Sequence, residues 1–320
     1  MKGLTDIAGL RVGHVSDYEA LTGCTVVLSE GGAVAGADIR GSATGTEEFS
    51  TLDPGHVAGR IHGVVLAGGS AFGLEAASGV RRYLEHKGVG FDTRAAKVPI
   101  VPCAILYDLG IGKAGIRPSR EMGEAAAAAA TADAVKEGAV GAGTGATVGK
   151  LFGMSQAMKS GLGSDTVALS GPYSGVLVAA LAVVNAFGDV VDPETGKIVA
   201  GARRAPDSRE FANTTLELMR GRNASFGKGE NTTLVVVATN ARLTRVEARK
   251  LAQQAQLGMA RAIRPVNTML DGDLVVALSL GSREADLNAL GVAAAEAVAQ
   301  SILRAVRLAP TLGGVPGLAQ

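Results

Sequence analysis

Leu234 to Ala238 is an unbroken apolar run, LVVVA, and a short continuous run of this kind bounded by turn residues is typical of a buried strand. What leads into it is the informative part. Gly227 to Thr233 reads GKGENTT, so Gly227, Gly229 and Asn231 make a polar, turn-prone approach, with Thr232 and Thr233 at the junction. A hydroxyl at the first position of a central strand, behind a glycine-rich loop, is where a self-cleaving precursor carries its nucleophile. Attack of Thr232 on the Asn231 carbonyl turns the peptide into an ester, water breaks the ester, and Thr232 gains a free α-amine. With an unperturbed pKa of about 7.7 to 8, that amine serves as general base for its own hydroxyl near neutral pH. The same letters also describe the ordinary start of a strand. The tripeptide occurs twice, however, and Asn213-Thr214-Thr215 runs into LELMRGR, a helix-like segment with Asn213 as N-cap. Only the second copy opens a strand.

The 320 residues allow one large domain or two ordinary ones and can bury a sizeable core. Glycine is abundant, aromatics make up 3% and tryptophan is absent, which suggests close approach of backbones rather than a core filled by large rings. Thirty-one basic residues against 30 acidic ones leave no net field to attract nucleic acid or an anionic membrane. Cys24 and Cys103 lie in separate apolar runs and read as buried free thiols. With no apolar signal segment in MKGLTDIAGL, a cytoplasmic location is expected. The apolar stretch Leu290 to Val306 is interrupted by Glu296, Gln300 and Arg304, so it is not expected to span a membrane. His14, His56, His62 and His86 show no ligand spacing, so no metal is expected. GAVGAGTGATVGK (138–150) lacks the first glycine and the hydroxyl of a phosphate loop, so no nucleotide cofactor is expected either.

Along the chain, Thr22 to Leu28 predicts a strand with Gly32 to Ile39 as its partner. GVVLAGG (63–69) predicts another strand, followed by a helix running toward Gly88. Val98 to Leu106 delivers Tyr107 and Asp108, and Glu121 to Lys136 predicts an alanine-rich helix. Lys150 emerges from the glycine-rich loop, and Asn185 ends a long hydrophobic strand. Residues Asp192 to Arg209 read as a polar surface excursion. Thr244 caps a further helix, LDGD (270–273) precedes the strand LVVALSL, and Asp286 begins the last helix. The tail beyond Pro310 is expected to be mobile.

Several polar residues have two readings on local pattern. Lys150 placed beside Thr232 favours the deprotonated hydroxyl, and placed in water does nothing special. Asn185 either satisfies a turn or aims its amide at a reacting carbonyl. Asp271 and Asp273, one residue apart, project to one side of an extended chain. There they either orient an amine or lysine or bind backbone N–H groups.

Taken together, GGSAFGLEAASGV (68–80), VPCAILYDLG (101–110), GTGATVGK (143–150), VVNAFGDVVDP (183–193), GENTTLVVVATNA (229–241) and LDGD (270–273) resemble the L-aminopeptidase/D-esterase family across nearly the whole chain. Within it, the threonine at the GENTT junction is most similar to the nylon-oligomer (6-aminohexanoate oligomer) hydrolase branch. The resemblance implies an α/β fold, an αββα four-layer sandwich of two stacked mixed sheets between helix layers, similar to N-terminal nucleophile hydrolases. It implies one self-processing domain that splits between Asn231 and Thr232 into a large chain (1–231) and a small chain (232–320), with Thr232 as nucleophile. Lys150 matches the lysine beside the nucleophile, Asn185 the oxyanion-side asparagine and Tyr107 the substrate-side tyrosine. Asp271 and Asp273 match the carboxylate pair positioning the amine and lysine.

The implied activity is hydrolysis of linear amides through an acyl-enzyme. Its substrates would be aminohexanoate oligomers or N-terminal aminoacyl amides and peptides, with aminopeptidase/D-esterase or β-peptidyl aminopeptidase activity as alternatives. A homotetramer is the family expectation. Two readings of other classes are an acyltransferase with an amine acceptor, like the ornithine acetyltransferases, and a binding protein that never cuts itself.

Overall fold

The computed structural model describes residues 1–222 and 230–319. Gly227 and Gly229, the glycines expected before the threonine strand, lie outside the described residues.

The spine of the molecule is one long strand, Thr22–Ile39. Its first half pairs with Arg11–Asp17 and Ile61–Ala67, its second half with Leu274–Arg283. Gly32 to Ile39 is therefore a continuation of Thr22 to Leu28, not its partner as expected. The register breaks between Leu28 and Ala33, where Gly32 takes φ +79°. An extra-residue bulge bends a strand, and this one carries the spine from one sheet into the other. The full order is Leu162–Ala168, Leu177–Asn185, Thr232–Ala241, Leu274–Arg283, the spine, Ile61–Ala67, Cys103–Ile105 and Gly45–Glu47. Thr232–Ala241 runs parallel to Leu274–Arg283, and Ile61–Ala67 parallel to Cys103–Ile105, so both sheets are mixed.

Side-chain alternation assigns the layers, because successive residues of a strand face opposite sides. Val235, Val237, Val275 and Ala277 pack among the apolar residues of the helices Arg245–Ala262 and Leu287–Arg307. Their neighbours Leu234, Val236 and Val276 point the other way and meet Val27, Val64 and Leu66 of the second sheet. On that sheet's far face, Cys24, Val26 and Val65 pack with Ala77 and Val80 of the helix Ala76–His86 and Ala126 of Arg120–Ala128. Helix, sheet, sheet, helix is the expected αββα sandwich. Both cysteines are buried and unpaired.

Small residues do set the spacing. A Cβ on Gly79 would lie 1.8 Å from the Arg120 carbonyl oxygen and one on Gly123 1.9 Å from that of Ala76, so the two outer helices touch backbone to backbone. Thr244 and Glu247 form a capping box, and the Asn213 and Asp286 side chains accept from their helices' first N–H groups, as expected. The alanine-rich helix stops at Ala128 instead of reaching Lys136. Beyond it, Thr131 leaves to exchange backbone hydrogen bonds with Val12.

The tail is not loose: the N–H groups of Leu318 and Ala319 donate to the Ala309 carbonyl, and Val315 is buried among Leu21 and Ile111. The Asp192 to Arg209 segment is only partly a surface excursion, since Ala200, Ala202 and Arg203 are buried within it. Among the described residues, Leu287–Arg307 is the one helix long and apolar enough to cross a membrane. Its apolar window is 72% buried inside the protein, where it packs on the first sheet.

Candidate active site

Antiparallel pairing explains why an asparagine ending one strand meets a threonine starting another. Leu177–Asn185 and Thr232–Ala241 are in register such that Asn185 opposes Thr232. On the other side, the parallel partner of Thr232–Ala241 is preceded by LDGD, and a bridge between Asn231 and Asp271 extends the pairing past the strand ends. The two strands flanking Thr232–Ala241 thus bring Asn185, Asp271 and Asp273 to the same end of the first sheet as Thr232.

Thr232 is buried, and its Oγ1 donates to the carbonyl oxygen of Asn231 at 2.5 Å. The same oxygen accepts the backbone N–H of Gly272 at 2.8 Å. A donor already on that oxygen is placed to stabilise the charge that attack on the carbonyl would create. Gly272 also has to be glycine here, since a Cβ would sit 2.8 Å from both Thr232 Oγ1 and the Ala43 carbonyl oxygen. In the sequence it stands only as the spacer between two acids, and the signal for it is a glycine shortly ahead of the strand that pairs with Thr232–Ala241.

Lys150 is buried, and its Nζ donates to Asn185 Oδ1 (2.7 Å), to the Asn185 carbonyl (3.0 Å) and, at 3.4 Å, to the Glu230 carbonyl. The solvated reading of this lysine therefore fails. Burial lowers its pKa from the ordinary lysine value to about 7, against the opposing pull of Asp271, Glu230, Asp108 and Asp273. Asn185 is fully buried. Its Nδ2 donates to the Tyr107 carbonyl at 2.9 Å and to the Glu230 carbonyl at 3.4 Å. This amide thus meets the carbonyl one residue ahead of Asn231, while Gly272 holds that of Asn231 itself.

The two aspartates join the cluster through backbone groups. Asp271 accepts the N–H of Phe187 (3.1 Å) and both the N–H and hydroxyl of Thr268. Asp273 accepts the N–H groups of Thr233 (2.6 Å) and Asn267 (2.9 Å). Asp273 pins the backbone directly after Thr232, while Asp271 pins the turn after Asn185 and acts on Lys150 through charge. Burial raises both carboxyl groups above their ordinary range, and the charge of Asp271 raises Asp273 further.

Tyr107, Asp108, Ile111, Thr147, Lys150 and Glu230 are among the residues lining a small, narrow pocket. Burial raises the Tyr107 phenol, helped by the charges of Glu230 and Asp108. Asp108 accepts the Thr22 hydroxyl (2.7 Å) and the Gly69 N–H (2.6 Å), and burial pushes it up to about 6. It ties the spine and the turn after Ile61–Ala67 to the pocket wall.

This architecture recurs in the L-aminopeptidase D-Ala-esterase/amidase from Ochrobactrum anthropi, described as a variant of the Ntn hydrolase fold. The TM-score is 0.75 at 18% identity, covering 98% of this chain and 88% of that one, a likeness that speaks for the fold. Sequence carries it further. Peptidase family S58 matches residues 2–319. An uncharacterized aminopeptidase of Mycobacterium tuberculosis is 39% identical over 345 residues, covering 99% of this chain and 96% of its own. The 6-aminohexanoate-oligomer endohydrolase of Paenarthrobacter ureafaciens is 30% identical over 319 residues, 94% of this chain and 84% of its own. The fold and the family match define a hydrolase acting on amide bonds. The chain belongs to Peptidase family S58.

Proposed function

We propose that the chain cuts itself between Asn231 and Thr232 and then hydrolyses linear amides through an acyl-enzyme on Thr232. The observation that carries this reading is the double engagement of the Asn231 carbonyl oxygen, by the Thr232 hydroxyl and the Gly272 N–H. In self-cleavage, Thr232 Oγ adds to the Asn231 carbonyl carbon, the C–N bond breaks, and the Thr232 nitrogen leaves as an amine. The resulting ester is hydrolysed by water. The two products are a large chain ending at Asn231 and a small chain beginning at Thr232.

In the mature enzyme, Thr232 Oγ attacks the substrate amide, its proton passing to the new α-amine or to neutral Lys150. Gly272 N–H and the Asn185 amide supply the oxyanion contacts, and Tyr107 flanks the acyl group in the pocket. Departure of the amine leaves an ester on Thr232, which water hydrolyses to release the acid. The substrates are aminoacyl amides, peptides and ω-amino-acid oligomers, in keeping with aminopeptidase and oligomer-endohydrolase relatives. The working assembly is a homotetramer of cleaved pairs.

A panel of aminoacyl p-nitroanilides and linear aminohexanoate oligomers tests the assignment. Turnover of at least one class by the wild-type chain and none by Thr232→Ala is expected. Hydrolysis by Thr232→Ala at the wild-type rate would remove the nucleophile.

A further inference from the structure

Lys159 takes no part in the chemistry above, yet it is the bulkiest fully buried side chain of the described residues. Its Nζ donates to three backbone carbonyls, Gly143 (3.2 Å), Ala146 (2.8 Å) and Ser160 (2.5 Å). A buried ammonium is costly unless every donor is met. Here all three are, and two of the acceptors, Gly143 and Ala146, belong to the glycine-rich turn ahead of Thr147 and Lys150. Within that turn the Thr144 hydroxyl bonds back to Gly141 and Ser16, and the lysine supplies donors to the Gly143 and Ala146 carbonyls from the neighbouring strand. Burial lowers its pKa to about 7, with Asp108 opposing and Lys150 reinforcing the effect.

The turn leads directly to the site. Thr147 is the cross-strand partner of Lys159 in the small ribbon formed by Thr147–Val148 and Met158–Lys159. Its N–H donates to Asn185 Oδ1 at 3.1 Å, beside the Lys150 contact to the same oxygen. With Oδ1 fixed from two sides, the Asn185 Nδ2 is left facing the Tyr107 and Glu230 carbonyls. Gly145, the middle of the turn, has no room to shift toward the pocket wall: a Cβ there would lie 2.3 Å from the Leu21 carbonyl oxygen and 2.6 Å from Asp108 Cβ.

We propose that Lys159 is a positioning residue for amide hydrolysis: by gripping the Gly143 and Ala146 carbonyls it sets the place of Thr147, and through Thr147 the orientation of the Asn185 amide. This rests on the role given to Asn185 above. Without the grip, the turn carries orphaned carbonyls, Thr147 shifts, and the Asn185 oxygen loses one of the two donors that fix it, leaving Lys150 alone to set its orientation. A staple of the core alone would lower stability and leave turnover per folded, cleaved enzyme intact.

The test is a double-mutant cycle of Lys159→Met and Asn185→Ala, with kcat and KM measured per cleaved chain and the cleaved fraction read on a denaturing gel. Lys159→Met is expected to lower kcat by about 10- to 100-fold, the scale of a displacement of about 1 Å in a catalytic group, with KM nearly unchanged. Lys159→Gln, which keeps an N–H donor, recovers part of the loss and carries the same cycle should the methionine variant not fold. Because both residues act through one amide, the double variant is expected to be no slower than Asn185→Ala alone. Losses that multiply overturn the proposal and leave the catalytic reading standing. Asn185→Ala at the wild-type kcat removes the role of Asn185, and this inference with it.

Discussion

Gly272→Ala is the substitution whose effect follows most directly from the geometry. The new Cβ would stand 2.8 Å from Thr232 Oγ1, where ordinary contact begins at 3.4 Å, so the hydroxyl must retreat by roughly 0.6 Å. The Cβ has no escape on its other side, because the Ala43 carbonyl oxygen is also 2.8 Å away. A 1 Å misplacement in a reacting pair costs on the order of 100-fold, so self-cleavage should slow by about 10- to 100-fold, roughly 1.4 to 2.7 kcal/mol of barrier. The N–H that holds the Asn231 carbonyl at 2.8 Å is retained, which confines the effect to the position of the nucleophile. Chain splitting is followed on a denaturing gel from the moment of purification, with circular dichroism confirming that the variant is folded. A folded Gly272→Ala protein that splits as fast as wild type refutes the reasoning.

Other outcomes follow from the same structure. Lys150 takes a proton only when neutral, and burial brings its pKa down to about 7. Protonation at lower pH therefore removes the base, and kcat/KM should rise as pH increases through about 7. Lys150→Arg, charged at every accessible pH, should lose about 100-fold or more at all of them, which a pH–rate profile of both proteins checks. Asn185→Ala should lower kcat by about 100- to 1000-fold, the worth of one oxyanion donor, measured on whichever panel substrate turns over. Gly79→Ala drives a Cβ to 1.8 Å from the Arg120 carbonyl, forcing the outer helices apart. Overpacking of this kind costs about 1 to 3 kcal/mol, so the variant should melt a few degrees lower in calorimetry while still splitting at the wild-type rate.

Single strands and helices were legible in the sequence because apolar runs and caps depend on local residues, whereas the αββα layering came from the resemblance. LVVVA after Thr233 has the pattern of a covered strand, and the caps Asn213, Thr244 and Asp286 each act on the few residues that follow them. Pairing was harder. Thr22 to Leu28 and Gly32 to Ile39 look like a hairpin locally, and a bulge at Gly32 that hands one strand to two sheets is a property of the whole fold. The tail after Pro310 carries turn residues and reads as loose, but Val315 finds an apolar seat made by Leu21 and Ile111, far away in the chain.

At the site, resemblance supplied residues that spacing could not. Lys150 and Asn185 are 35 positions apart and meet only because a turn and a strand end converge. The parts that escaped notice act through backbone or sit behind the pocket: the N–H of Gly272, and the buried ammonium of Lys159. Neither belongs to a residue pattern with a chemical signature of its own. The aspartates showed why their two local readings are not exclusive. They bind backbone N–H groups, as turn residues do, and by doing so Asp273 fixes Thr233 beside Thr232 and Asp271 fixes Phe187 just past Asn185.

The most direct test of the account is the intact mass of the freshly purified wild-type chain, with the amino terminus of each component read by sequencing. The account requires two components, one ending at Asn231 and one beginning at Thr232, in equal amounts. A single component of full-chain mass in a preparation that hydrolyses amides would contradict it, because the α-amine on which the proposed proton transfers depend would not exist.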